Sequence, residues 1–446
     1  MIDFLIQKFQ ENLEQEAIIW REQVFTYGWL LDGVLKWRGW LKETGVAPGT
    51  VVSLEADFSP NAIALLLALV EHRCILVPLT RSVAAKKAEF CEIAQVELVL
   101  EVGEADEIQL QHTGVTVNHE ILLQLKQAER PGLVLFSSGS TGKSKAAVHD
   151  LVPLLEKFKV PRKFLRTITF LLFDHIGGIN TLFYCLSNVG CIITVQDRLP
   201  DTVCAAIAKH QVQLLPTSPT FINLLLISEA FKRHDLSSLE LVTYGTEVMP
   251  ESTLKRFHAL FPNVRLLQTY GLSEIGIMRS QSKSSDSLWV RVGGEGFETR
   301  IVDGLLEIKA ESAMLGYLNA ASPFTEDGWF KTGDAVEVDG EYIRILGRKS
   351  EIINVGGEKV YPAEVESVIQ LMDGVEDVAV NAEPNPITGQ MVKVRVKLST
   401  GETVGDFRKR MWVFCQDKLP KYKIPQKVVL VTEAMYGDRF KKMRRE

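Results

Sequence analysis

From about residue 50 to 270, short apolar runs alternate with helix-length segments, and this alternation restricts the fold more than any other feature of the chain. CILVPL, LVLF, CIITV, VQLLP and LELVTYG are β-rich, and each pair is separated by enough residues for a helical crossover. Strands joined in this way pair in parallel, so the rhythm predicts βαβ units and a mostly parallel sheet. Ser59-Pro60 supplies an N-cap and a first helical position for NAIALLLALVEH. After about residue 285 the texture changes to short strands with glycine turns, including the hairpin signal Asp339-Gly340. Beyond the polar stretch Gly347-Arg348-Lys349-Ser350-Glu351, Pro362 opens a helix whose Val365, Val368, Ile369 and Met372 share one face. The expected architecture is α/β. A large N-terminal region (1–347) holds βαβ-type subdomains and a small β-rich subdomain, and a small α+β domain (348–446) follows a boundary near 348–351.

At 446 residues the chain exceeds one compact core. Its 50 basic and 56 acidic side chains give a net charge of −6, which argues against nucleic acid as the main partner. The longest clean apolar run, Ala62 to Val70, is far short of the ~20 residues a membrane helix needs. The first residues turn polar too early for a secretory signal. Cys74, Cys91, Cys185, Cys191, Cys204 and Cys415 show neither CxxC nor metal-ligand spacing, which predicts reduced thiols and a cytoplasmic protein.

Three segments carry chemistry. FSSGSTGKSKAAVHD (136–150) follows an apolar strand, and its small hydroxyl residues and glycines allow backbone N–H groups to approach an anion, with Lys143 and Lys145 adding charge. Gly142-Lys143-Ser144 fits the end of a P-loop, but the first glycine of that motif would stand at 137, which is Ser137. LLQTYGLSEIG (266–276) places Tyr270, Gly271, Ser273 and Glu274 in one turn, able to stack a base, meet a phosphate and hold a hard cation. The third segment, GWFKTGDAVEVDGEYIRILGRKSEIINVGGEKVYPAEVE, spans 328–366.

In this order and spacing the segments resemble the adenylate-forming superfamily of acyl-CoA synthetases, peptide-synthetase adenylation domains and luciferases. Phe136–Lys145 is similar to its phosphate loop, Thr269–Glu274 to its Tyr-Gly-x-[Thr/Ser]-Glu motif, Lys331–Asp334 to its Thr-Gly-Asp motif, and Gly347–Glu366 to its hinge and glycine pair. The resemblance implies ATP-dependent activation of a small-molecule carboxylic acid through acyl-AMP, with release of pyrophosphate, then acyl transfer to a thiol. CoA is the favoured acceptor. The alternatives are a pantetheinylated acyl carrier protein, with an amino acid as a further option for the acid, and a nucleotide-binding protein without turnover. Pushing a carboxylate onto a phosphate requires cations and N–H donors. By the match, Ser137, Ser138, Gly139, Ser140, Thr141, Gly142 and Lys143 hold phosphates, and Glu274 holds Mg²⁺ with Ser273 nearby. Gly245, Thr246, Glu247, Thr269, Tyr270 and Gly271 frame the adenine, while Asp334, supported by Arg348, takes the ribose hydroxyls. The hinge implies that the small domain is mobile.

The family also implies a lysine near the C-terminus, in a Gly-Lys-x-x-Arg context, that reaches the α-phosphate and the carboxylate. The tail AMYGDRFKKMRRE lacks that glycine and leaves two registers, Lys441 with Arg444 or Lys442 with Arg445, of which Lys442 is preferred. FLLFDHIGGINTLFYCL (170–186) matches the acyl-pocket segment. His175 fits the histidine of fatty-acyl and aryl CoA ligases, whereas Phe173-Asp174 mimics the start of amino-acid-activating domains; the histidine register is favoured. Gly177 and Gly178 are expected to leave the pocket wall open, and Phe221 and Ile222 to form its floor. Gly356 and Gly357 resemble the glycine pair beside the pantetheine channel.

Overall fold

The computed structural model describes residues 1–138, 144–437 and 439–444, with the side chain of Ser138 left out. Two seven-stranded sheets form the large region. One runs in the order Gly316–Tyr317, Ser144–Asp150, Gly132–Ser138, Ile75–Leu79, Val51–Glu55, Leu98–Val102, Ile108–His112, with a parallel centre and antiparallel edges. The other runs Arg265–Gln268, Leu241–Tyr244, Leu214–Thr217, Arg166–Ile168, Cys191–Ile193, Glu16–Trp20, Gln23–Thr26, parallel except for its last hairpin.

The helix Pro60–Glu71 shows how local sequence feeds the core. Ser59 Oγ accepts from the Ala62 amide at 3.3 Å, and Pro60 fills the first turn. Every residue from Ala62 to Val70 is buried, as an all-round apolar helix requires. At roughly 2 kcal/mol for each fully buried aliphatic side chain, its branched residues contribute as much gross burial energy as the net stability of a whole domain. No helix among the described residues is long and apolar enough to cross a membrane.

A six-stranded antiparallel sheet follows, with Phe330–Asp339 and Tyr342–Arg348 paired at its centre. The residues after it close a separate core around Ile353, Val365, Ile369, Val380, Val394 and Phe407. The apolar alternation of MVKVRVKL appears there as the strand Gly389–Leu398, with Val392, Val394 and Val396 buried. All six cysteines are free. Five are buried and Cys91 is half-buried. Burial pushes the thiols of Cys74, Cys191 and Cys204 up to about 12 and that of Cys415 to about 11.

Candidate active site

The cleft begins where three parallel strands end together. Thr217 pairs with Tyr244, and Tyr244 with Gln268, so Ser218, Gly245 and Thr269 emerge side by side at the carboxyl edge of the sheet. Carboxyl edges of parallel sheets are where crevices open. Gly245 is required by this crowding, because a Cβ there would lie 2.8 Å from the Thr269 carbonyl oxygen. Thr269 in turn donates from its amide (2.8 Å) and its hydroxyl (3.1 Å) to the Tyr244 carbonyl.

Tyr270, Asp334 and Arg348 form a connected polar group at the cleft. Asp334 and Arg348 are register partners on adjacent strands, and Arg348 Nε lies 3.1 Å from Asp334 Oδ1. The Tyr270 hydroxyl donates to Asp334 Oδ2 at 2.5 Å. Both side chains are buried, and burial holds the Asp334 carboxyl above its usual range, opposed by Arg348 and by the Tyr270 hydrogen bond. Thr332 Oγ1 accepts from the Asp334 amide at 3.0 Å, fixing the Thr-Gly-Asp turn. Tyr270 packs its ring among Ile275, Met278 and Val336 rather than standing free in the cleft.

On the phosphate side, Gly132–Ser138 and Ser144–Asp150 form an antiparallel hairpin that brings Ser138 opposite Ser144. Gly139, Ser140, Thr141, Gly142 and Lys143 lie outside the described residues. A P-loop leads from a strand into a helix, whereas here the chain after the loop is a strand, so the fold agrees with Ser137 in excluding that motif. Lys145 places Nζ 5.2 Å from the centre of the Tyr317 ring. The Tyr317 hydroxyl donates to Glu274 Oε1 at 2.7 Å. Among the described residues only one carboxylate oxygen of Glu274 is engaged, so a hard cation has a donor here. Mg²⁺, which takes one or two carboxylates alongside phosphate oxygens and water, fits that donor set. Among the described residues no group of three or more His, Cys, Asp or Glu side chains could hold a metal alone.

Sequence reasoning overlooked Tyr317, His149 and Lys86. His149 is buried between the Ser273 carbonyl (Nε2, 2.5 Å) and the Ser312 carbonyl (Nδ1, 3.3 Å), so it ties the phosphate-loop strand to the Glu274 turn. Lys86 reaches Ser144 Oγ at 3.4 Å. His149 was visible in the segment AAVHD, whereas Tyr317 and Lys86 carry no local signal and enter only through long-range packing.

The C-terminal tail sets the two candidate lysines in different surroundings. Lys442 is 8% exposed at its side chain, donates to the Val378 carbonyl at 2.7 Å and lies 3.4 Å from Asp377. It is committed to the small domain. Arg444 donates to both oxygens of Glu366 (2.9 and 2.8 Å) and reaches Glu351 at 3.1 Å; Arg445 lies outside the described residues. Lys441 instead lies near enough to Asp334 and His175 for its charge to bear on both. As a whole residue Lys441 is exposed, yet protein surrounds its ammonium closely enough that desolvation, and next the charge of Arg348, hold its pKa below that of an ordinary lysine.

Glu247 also departs from expectation. One carboxylate oxygen accepts from the Thr220 amide (2.7 Å) and hydroxyl (2.5 Å), at the start of the helix Pro219–Ser228, and the other accepts from the Lys442 amide at 2.9 Å. It caps a helix and anchors the tail, so it is not available to frame a base. Thr246 beside it adopts φ +72°.

In the acyl segment, His175 caps the helix Ile176–Ser187, its Nδ1 accepting from the Gly177 amide at 3.0 Å. Desolvation, with Arg439 and Lys441 adding to it, lowers its pKa to about 3, so the ring is neutral and its remaining proton lies on Nε2. Phe173 is fully buried against Phe58 and belongs to the core. Gly177 and Gly178 do not open a wall. A Cβ on Gly178 would lie 2.0 Å from the Leu172 carbonyl oxygen, and one on Gly177 would lie 2.7 Å from Leu171 Cδ1. Close backbone packing requires Gly178, and at Gly177 the space is taken by the end of the Leu171 side chain. Asp174 is buried, receiving the Thr80 hydroxyl at 3.1 Å and Arg439 Nη2 at 3.0 Å on one oxygen. Phe221 and Ile222 are buried on the helix Pro219–Ser228. Gly356 and Gly357 form an exposed turn with φ +61° and +96°, where the Gly357 amide donates to Asn354 Oδ1 at 2.9 Å.

Comparison with known proteins bears on the family and the fold. Residues 6–318 match the family described as AMP-binding enzyme, and residues 364–436 match the AMP-binding enzyme C-terminal domain. An indoleacetate–CoA ligase of Aromatoleum aromaticum is 25% identical over 94% of this chain and 91% of its own length. A Rhodococcus jostii CoA ligase acting on a methyl-dioxo-octahydroindenyl propanoate is 28% identical over 67% of this chain, a match that spans 61% of that relative. Among solved structures, an anthranilate CoA ligase in complex with anthranoyl-AMP superposes with a TM-score of 0.82, at 20% identity, over 99% of this chain and 95% of that one, and so shares the fold.

Proposed function

The chain belongs to the AMP-binding enzyme family, and from that premise we propose that it activates a small-molecule carboxylic acid with ATP and transfers the acyl group to the thiol of CoA. The observation that carries this reading is the connected Tyr270–Asp334–Arg348 group at the carboxyl edge of the sheet, with the charge of Lys441 near enough to act on Asp334. A carboxylate oxygen of the acid attacks the α-phosphorus of ATP, and the bond to pyrophosphate breaks. Lys441 meets the charge that develops on the α-phosphate and the carboxylate. Asp334 accepts hydrogen bonds from the ribose hydroxyls, with Arg348 and Tyr270 fixing its orientation. Lys145 and the loop 137–143 hold the leaving phosphates. Mg²⁺ bound through Glu274 would neutralise phosphate oxygens when present. The thiol sulfur then attacks the acyl carbonyl, AMP leaves, and the thiol proton passes to solvent.

Asp174 already faces the guanidinium of Arg439, which supports an acid without an α-amino group over an amino acid. His175 presents a neutral donor beside that region rather than a charge. The hinge is placed at 348–351, and rotation there would exchange the tail for the Gly356-Gly357 turn at the cleft, where the lack of side chains would admit a thiol arm. Buried, unpaired thiols suit a reducing, cytoplasmic setting.

Pyrophosphate–ATP exchange driven by a panel of carboxylic acids tests the reading. Acid-dependent exchange followed by CoA thioester formation is expected. ADP release would point to phosphoryl transfer, and silence with every acid would point to a nucleotide-binding protein without turnover. Thioester formed only on a pantetheinylated carrier protein would replace CoA as the acceptor.

A further inference from the structure

Phe440 occupies the slot where the resembling family carries glycine, and its backbone lies at φ +47°. A phenylalanine adopts that left-handed region only when its surroundings over-determine it. Here the ring packs against Phe170 (5.3 Å between centroids) and edge-on against Phe221 (5.7 Å), both of the large domain, with Tyr436 stacked behind it at 5.6 Å. The Phe440 carbonyl accepts from Ser218 Oγ at 2.6 Å. One residue earlier, Arg439 Nη2 lies 3.0 Å from Asp174 Oδ2. The Asp174 side chain is 3% exposed, and its other oxygen has no partner among the described residues.

These contacts divide the tail. Arg439 and Phe440 bind the large domain, whereas the side chains of Lys442 and Arg444 bind Asp377, Val378, Glu351 and Glu366 of the small domain. Lys441 stands between the two sets, and from the large-domain side it is held by its two predecessors and by Glu247, which accepts from the Lys442 amide at 2.9 Å.

We propose that Arg439 and Phe440 form a two-point latch that seats Lys441 for acyl-adenylate formation and must disengage before the thiol attacks. The inference rests on the acyl-adenylate reading above. Both are positioning residues, and they act with opposite tendencies. The buried carboxylate of Asp174 favours the seated state, because withdrawing Arg439 leaves that charge without its cation. The left-handed backbone at Phe440 opposes it, because strain there is relieved once the ring leaves its aromatic slot. A latch so balanced holds during the first step without locking the second.

The test compares half-reactions in the full-length enzyme, using whichever acid the exchange panel selects. Arg439→Gln and Phe440→Ala should slow pyrophosphate exchange by about tenfold or more, the scale of a displaced catalytic group. The same variants, supplied with the preformed acyl-AMP and CoA, should form thioester at least as fast as wild type. Phe440→Tyr, which keeps the ring, should recover exchange to within about twofold. Parallel loss in both half-reactions, or unchanged exchange, overturns the latch while the wild-type activity stands. A wild type silent with every acid overturns the acyl-adenylate reading and the latch together.

Discussion

The Tyr270–Asp334–Arg348 group and the Arg439–Arg444 tail meet at one cleft, yet they are fixed in different ways. Asp334 and Arg348 are neighbours in one sheet, so ladder hydrogen bonds position them before any ligand arrives. Among the described residues the tail's strand pairing is a single isolated bridge between Tyr436 and Lys442. The tail reaches the cleft through a buried ion pair, two aromatic contacts, a hydrogen bond that Ser218 donates to the Phe440 carbonyl and one that the Lys442 amide donates to Glu247. The first arrangement suits groups that recognise a nucleotide in every step, and the second suits a group needed in only one.

The sharpest way to break the comparison is to exchange the fates of the two lysines. Lys441→Ala should reduce acid-dependent pyrophosphate exchange by about 10²- to 10³-fold, the range for losing one charge-stabilising group, with an unchanged melting temperature. Lys442→Ala should instead destabilise the small domain by about 2–3 kcal/mol, since Asp377 loses its buried cation. Full exchange in the first variant, or a silent but stably folded second variant, would reverse the assignment.

Weaker effects are expected in the fixed group. Asp334→Asn should raise the KM for ATP by about tenfold with little change in melting, as expected for a lost charge-assisted hydrogen bond. Tyr270→Phe should cost about 1–2 kcal/mol of stability, because a buried carboxylate loses its hydroxyl donor.

The pH dependence sharpens the contrast further. In the proposed role Lys441 acts as a cation, and burial together with Arg348 lowers its pKa. Exchange should therefore fall on an alkaline limb below the ordinary lysine range, and Arg348→Gln should move that limb upward. His175 affects stability rather than rate on the acid side. Its folded pKa of about 3 lies below the ordinary value of 6.5, so between these two values the unfolded chain binds a proton that the folded chain does not. Stability from this residue is complete above 6.5 and is lost as the pH falls toward 3. His175→Asn, which keeps an N-cap, should flatten that decline in melts across the same window.

What the sequence revealed about this cleft depended on range. The parallel rhythm, the Ser59 cap and the valines of MVKVRVKL were legible because periodicity and caps act within a few residues. Membership in the adenylate-forming group was legible from four ordered motifs. The lysine register was not, because the glycine that normally marks it is replaced by Phe440, whose left-handed backbone no composition reveals. Glu247 reads as part of a base pocket until Thr220 and the Lys442 amide, 27 and 195 residues away, are seen to hold it. Gly178 reads as open space until the Leu172 carbonyl is found filling it.

The buried cysteines bear on a hazard particular to a catalyst that would make an acyl phosphate anhydride and pass the acyl group to a thiol. Any thiolate of its own within reach would be acylated and the product lost. A thiol reacts as its anion, and desolvation keeps Cys74, Cys191 and Cys204 protonated far above neutral pH. The fold thus leaves the incoming acceptor as the reactive sulfur, protecting the enzyme from modifying itself.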